Sequence, residues 1–196
     1  MKDNDLLHLY KNDIGVLAVS SYLKQGNKNI SIKGLSGDLN IITALAVTKN
    51  DQENHCFVLE DKKSALIFYS SLSRLLKKEK IFFFPYSYRK AYDDEFINNA
   101  NVVFRTEAIE AITNKSKEKI YLISYPEGVF EKTTNIQTKN KLSLLIKKGE
   151  TLEYSFLVNY LEEQNFESVD FVKEPGQYSV RGNIIDVFSF TNKEAI

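Results

Sequence analysis

The chain has 196 residues, 43% of them hydrophobic, enough for one medium domain and a smaller one with a packed core that needs no covalent staples. Its 26 basic and 26 acidic residues cancel, which removes the broad positive field that holds a phosphate backbone by charge alone. A single cysteine, Cys56, and two histidines, His8 and His55, exclude an intramolecular disulfide and leave no zinc cluster, so a reducing, cytoplasmic setting is expected.

The opening MKDNDLLHLYKNDIG lacks the continuous apolar core of a signal peptide, and no run reaches the ~18 apolar residues of a membrane span, so no membrane association is expected. Residues 13–24 read as an amphipathic helix covering an edge. From residue 30, short apolar runs alternate with helix-like stretches. A strand at 30–33 leads into a helix at 39–47, one at 57–60 into 63–77, one at 81–84 into about 95–112, and a strand at 120–124 closes the series. Short strands apolar on both faces, separated by crossing helices, indicate an α/β domain built on a parallel sheet.

After Tyr125 the polar, turn-rich PEGVFEKTTNIQTKN marks a passage out of this domain, which gives boundaries of 1–127 and 128–196. A strand at 141–147 is expected next, then a helix with Thr151 as N-cap and Glu153 in its first turn. Leu152, Phe156, Leu157, Tyr160 and Leu161 recur at helical spacing and predict one buried face, and Asn165 marks the end. Strands at 168–172 and 177–190, joined by the turn signal EPG, complete a small α+β domain. The closing TNKEAI directly follows a strand, so a chain continuing past Ile196 and an uncovered strand edge are expected.

GLSGDLN, at 34–40, has the outline of a phosphate loop between strand and helix. The working pattern G-x-x-x-x-G-K-[ST] uses backbone amides to wrap phosphates, lysine to neutralise them and a hydroxyl to hold magnesium. Laid on Gly34, it places Leu39 at the second glycine, Asn40 at the lysine and Ile41 at the hydroxyl, with Gly37 inside the loop. All three chemical positions fail, and Asp38 adds a negative charge where an anion would sit. The loop is a degenerate P-loop, expected to hold neither nucleotide nor metal.

EPGQYSVRGNIIDVFSF, at 174–190, resembles a stretch of the form E-P-G-E-F-x-V-R-G-G-I-L-D-I-F-P that UvrB and the transcription-repair coupling factors (Mfd) carry. Pro175, Gly176, Arg181, Gly182, Ile184, Ile185, Asp186 and Phe188 match it in register. The preceding LVNYLEEQNFESVDFV resembles L-x-x-L-G-Y-x-R-V-D-x-V, with Asn165 in place of the glycine, and FFFPYSYRKAYDDE more loosely resembles the coupling factors' F-P-A-W-E-T-L-P-Y-E. UvrB keeps an intact phosphate loop and a long aromatic hairpin. Here the loop is broken, and only about ten residues separate Pro85 from the next predicted helix, too few for such a hairpin. The chain therefore resembles the amino-terminal UvrB-homology module of the coupling-factor family.

The resemblance implies a degenerate P-loop or Rossmann-like domain followed by a small domain of the UvrA-binding type, without catalysis of its own. In that family the complete protein is an ATP-dependent DNA translocase that displaces stalled RNA polymerase from double-stranded DNA and recruits excision repair. ATP and magnesium belong to its later motor domains. The resemblance also places Arg181 in the UvrA contact patch. Strand alternation puts Ser179 and Asn183 on the same face, with Ser179 standing where UvrB has a further arginine. From residue pattern alone, Arg181 is equally a strand arginine with a local acidic neighbour. Gly182 reads as a bulge or close approach, Glu174 and Asp186 as structural carboxylates, and His8 and His55 as surface residues. Tyr86, Tyr88 and Tyr92 could stack bases, but Asp93, Asp94 and Glu95 beside them argue against a DNA platform.

Overall fold

The structure, a computed structural model, describes residues 10, 12–26, 29–49, 52–76, 80–91, 94–113, 118–133, 144–192 and 194–196, with backbone only at 89–91 and 94–97. The chain divides into two compact units, Met1–Phe83 with Ser116–Pro126, and Phe84–Lys115 with Glu127–Ile196. His8 and Tyr92 lie outside the described residues.

The first unit begins with α1, Ile14–Lys24, capped by the Asp13 carboxylate, which accepts from the Val16 N–H at 3.1 Å. Of this helix only Val16 is buried, and Ile14, Leu17, Tyr22 and Leu23 are exposed, so it covers less apolar surface than its pattern predicts. It contacts α2, Leu39–Thr48, whose Ile41, Ile42, Leu45 and Ala46 are all buried. The Thr48 carbonyl at the end of α2 accepts from the buried Lys119 ammonium, a cation placed where the helix dipole favours one.

The sheet of this unit has the order β1 (His55–Val58), β5 (Ile120–Ser124), β2 (Lys80–Phe84), and β1 and β5 run parallel from His55 opposite Tyr121 to Val58 opposite Ser124. Central β5 is buried along almost its whole length, as a parallel strand between neighbours should be. On β1 only alternate residues are covered, and Cys56 and Val58 face outward. α3, Lys62–Leu75, presents Ala65, Phe68 and Leu72 to the core, and the Phe68 ring lies 5.0 Å from Phe57. His55 stacks on Tyr121 at 5.6 Å and is half-buried, not a free surface residue.

The predicted strand at 30–33 does not form. Residues 29–36 have no regular structure and 31–38 are exposed. Alternation in NISIK is a necessary condition for a strand but not a sufficient one, because a ladder needs a partner, and among the described residues none pairs with it. The loop at 34–40 therefore enters α2 from irregular chain.

In the second unit, the stretch after Pro85 holds a short antiparallel hairpin, β3 (Tyr88–Ala91) with β4 (Asp94–Ile97), and α4 starts at Asn99 instead of residue 95. Four-residue strands do fit where a long hairpin does not. Along α4 (Asn99–Thr113) the buried residues are Asn101, Arg105 and Ala108. The Arg105 guanidinium donates to the carbonyls of Pro85 (2.7 Å) and Gly128 (2.8 Å), pairs with Glu131 at 3.3 Å and lies 4.0 Å above the Phe84 ring. Glu131 also accepts the Ser87 N–H at 2.7 Å, and the Asn101 amide donates to the Tyr86 carbonyl at 2.7 Å. The carbonyls of Pro85, Tyr86 and Gly128, the last in the short helix α5 (Pro126–Phe130), are thus satisfied by α4 side chains, and the Ser87 N–H by Glu131.

No regular strand occupies 144–147, and 141–143 lie outside the described residues. The following helix, α6, spans Tyr154–Glu163 with Glu153 at the N-cap, so Thr151 is not the cap. Only Leu161 of the predicted face is fully buried. Leu157 and Tyr160 are half-covered, while Leu152 and Phe156 are exposed. Asn165 does end the helix, at φ 59°, with its N–H donating to Glu162 and that of Phe166 to Leu161 at 2.9 Å each. This is the Schellman pattern, and asparagine tolerates the left-handed conformation where the family pattern has glycine.

Candidate docking site

The second small sheet has the order β6 (Glu167–Ser168), β7 (Gln177–Arg181), β8 (Ile184–Phe188), with β6 parallel and β8 antiparallel to β7. The single strand predicted at 177–190 is two strands folded into a hairpin, with Arg181 opposite Ile184 and Gly182–Asn183 as a two-residue turn. Gly182 has φ 61° and nothing lies within 4 Å of the place a Cβ would occupy. It is the first central residue of a tight turn, not a bulge or a close approach. Within this segment the close neighbour belongs to Gly176, at φ 86°, where a Cβ would fall 2.6 Å from the Phe190 ring. The EPG signal is therefore also a packing site, and Phe190 in turn packs on Phe166 at 5.6 Å.

The outer edge of β8 is partly covered: Val187 exchanges both backbone hydrogen bonds with Ile196, at 2.7 and 2.9 Å. The strand edge expected to be bare is closed there by the chain itself.

Arg181 sits at the turn end of β7 with its side chain 53% exposed, and its guanidinium pairs with the Asp186 carboxylate on β8. Ser179 and Asp186 are directly opposite, so Ser179, Arg181 and Asp186 share a face. That face is not uniformly open. Ser179 is buried at 1% exposure, its hydroxyl donating to the Asp170 carbonyl at 2.9 Å. Asn183 is exposed but belongs to the turn and not to a strand face. Of the three residues assigned to one surface, only Arg181 is both on the strand and accessible.

Its neighbours are ones the sequence pattern hid. Phe171, expected inside a strand, lies beyond the two-residue β6 and is 66% exposed, with the Arg181 guanidinium 5.6 Å from its ring centre. Ile184, across from Arg181, is 61% exposed. Beside them opens a groove of about 570 Å³ lined by Ser168, Val169, Asp170, Phe171, Val180 and Arg181. The signal for Phe171 was an aromatic directly after Asp170 and shortly before the EPG turn, legible only once the strand was known to stop at Ser168.

In the loop at 34–40, Gly34 and Gly37 adopt positive φ (83° and 59°) and Leu39 and Asn40 begin α2. Ile41 is buried at 3% exposure. Its N–H is taken by the Asn40 side-chain carbonyl at 2.7 Å and by the Asp38 carbonyl at 3.1 Å, while that of Ile42 also goes to Asp38. These first-turn donors, which would face a phosphate, are engaged within the chain. A cavity of about 420 Å³ beside them is lined by Asp38 and Glu60 as well as Ile41, Ile67 and Phe68. Two carboxylates and an apolar floor do not complement a triphosphate. Among the described residues no group of three or more His, Cys, Asp or Glu could hold a metal ion, and no helix is long and apolar enough to cross a membrane.

Residues 144–196 match the family model described as the UvrB interaction domain. The chain is also 21% identical over 179 residues to the transcription-repair-coupling factor of Bacillus subtilis (strain 168), an alignment that covers 89% of this chain and 15% of that protein. The chain thus spans about 15% of the length of this curated relative. The resemblance read at 174–190 is therefore met from two directions: the carboxy-terminal segment matches the UvrB interaction domain, and the chain as a whole is similar to a transcription-repair-coupling factor.

Proposed function

We propose that the chain is the UvrB-like module of a transcription-repair coupling factor and that its role is to recruit UvrA through the β7–β8 hairpin. The observation that carries this reading is Arg181, a half-exposed guanidinium at the turn end of a hairpin inside the segment that matches the UvrB interaction domain. Arginine is enriched among residues that dominate interfaces, through its stacking and packing surface as well as its charge. In this reading the fragment has no catalysis of its own. The complete protein would be a cytoplasmic, ATP-dependent translocase on double-stranded DNA, with ATP and magnesium held in its motor domains, that displaces stalled RNA polymerase and hands the lesion to excision repair.

The internally satisfied amides of the loop, the buried Ile41 and the carboxylates of Asp38 and Glu60 support a loop that does not bind nucleotide. Calorimetry with magnesium and ATP tests that part, and micromolar binding would remove it. For the docking part, UvrA is titrated against the chain, and against a version continued past Ile196, each with and without Arg181→Ala. The substitution is expected to weaken binding about tenfold or more. Equal affinity in both would take Arg181 out of the interface.

A further inference from the structure

We infer that Phe171 is the apolar anchor of this docking surface, clamped by Arg181, and that the groove beside it receives an apolar side chain of the partner; this rests on the reading that the hairpin docks on UvrA. Phe171 and Ile184 are large apolar side chains left 66% and 61% in water, on either side of a half-exposed arginine. Clustered exposure of this kind marks interaction surfaces, whereas isolated exposed hydrophobics do not.

The ring is also preorganised. The two residues before it are pinned to β7, Val169 by its N–H donating to the Tyr178 carbonyl at 2.9 Å and Asp170 by its carbonyl accepting from the Ser179 hydroxyl at 2.9 Å. The Arg181 guanidinium then holds the ring from above at 5.6 Å. An aromatic fixed before binding loses little freedom on association, so most of its burial becomes affinity. Charge points the same way. Arg181 is already paired with Asp186, and Asp170 stands at the groove, so a partner carboxylate gains little net attraction there. An apolar side chain resting on Phe171 and against Val180 meets no such competition.

The test measures UvrA affinity for the chain and for Phe171→Ala, Phe171→Leu, Arg181→Ala and the Phe171→Ala/Arg181→Ala double variant. Far-UV circular dichroism confirms that each variant is folded. Phe171→Ala is expected to weaken binding about tenfold or more, with Phe171→Leu recovering part of the loss. The double variant should lose less than the product of the two single losses, because ring and guanidinium act together. Phe171→Ala within about twofold of wild type, with Arg181→Ala weakened, overturns the anchor and leaves the docking reading standing. A wild-type chain that does not bind UvrA, or two single variants that both bind unchanged, overturns both.

Discussion

Arg181 reaches diagonally across the hairpin to Asp186, the residue directly opposite Ser179, so one end of the buried Ser179 face is closed by an ion pair in solvent. Both partners are accessible, at 53% and 31% of the side chain, and screening limits what such a pair contributes. Asp186→Ala is expected to lower stability by less than about 1 kcal/mol. A shift in the urea midpoint larger than that would mean that the pair holds the hairpin together and does not merely orient an arginine.

Arg105 stands at the other extreme. It is 4% exposed and serves the carbonyls of Pro85, Gly128 and Glu131 together with the Glu131 carboxylate, itself 13% exposed. Removing it leaves a shielded carboxylate without its counter-charge and the carbonyls without this donor. Arg105→Ala should cost about 3–5 kcal/mol, and Arg105→Lys should recover only part of that, since an ammonium lacks the guanidinium's fork of donors and cannot reach the same acceptors together. Urea unfolding checks both, and a loss under about 1 kcal/mol would show that water replaces the guanidinium.

The sequence was most informative where local pattern decides structure. The helix at Leu39–Thr48, the amphipathic Lys62–Leu75, the strands from Lys80 and Ile120 and the stop at Asn165 follow from periodicity, β-propensity and capping. Three outcomes depended on partners that pattern cannot supply. The segment 30–33 alternates correctly but pairs with nothing described, Ser179 is buried because the Asp170 backbone crosses it, and Phe171 is exposed because its strand stops at Ser168. Arg105 was within reach: Asn101, Arg105 and Ala108 stand at helical spacing, and a polar stripe on a core face already implies buried hydrogen bonds. At the candidate site, the motif singled out Arg181, while its aromatic neighbour came only from the fold.

Two glycines of the RGN and EPG motifs should respond differently to alanine. At Gly182 only the backbone objects, with φ 61° and open space around it, so Gly182→Ala is expected to cost about 1–2 kcal/mol and Gly182→Asn less. At Gly176 the positive φ is joined by the Phe190 ring, 2.6 Å from the new methyl. Strain and overpacking then add, and Gly176→Ala should lose about 2–5 kcal/mol. Thermal or urea unfolding of the two variants side by side gives the order, and equal losses would mean that the Phe190 ring moves aside freely.

The cap of α3 gives the chain a defined response to acid. Asp61 accepts the Ser64 backbone N–H at 2.7 Å, and this bond, followed by the Ser64 hydroxyl, holds its carboxyl below the ordinary carboxylate value. A folded pKa below the unfolded one means that the ionised form is favoured by folding. The contribution is complete above the unfolded pKa, about 3.9, and disappears as pH falls through the lower folded value. Asparagine caps with a neutral oxygen and does not titrate in this range. The stability difference between the wild-type chain and Asp61→Asn should therefore be constant from pH 7 to about 5 and shift against the wild type only below about pH 4. Urea midpoints of the two chains across that range measure it, because carboxylates elsewhere titrate in both and cancel. A difference that stays flat down to pH 2 would mean that folding leaves the Asp61 pKa unchanged and the Ser64 hydrogen bonds do not favour its ionised form, whereas a change already complete at pH 5 would require a raised pKa, opposite to what those hydrogen bonds impose.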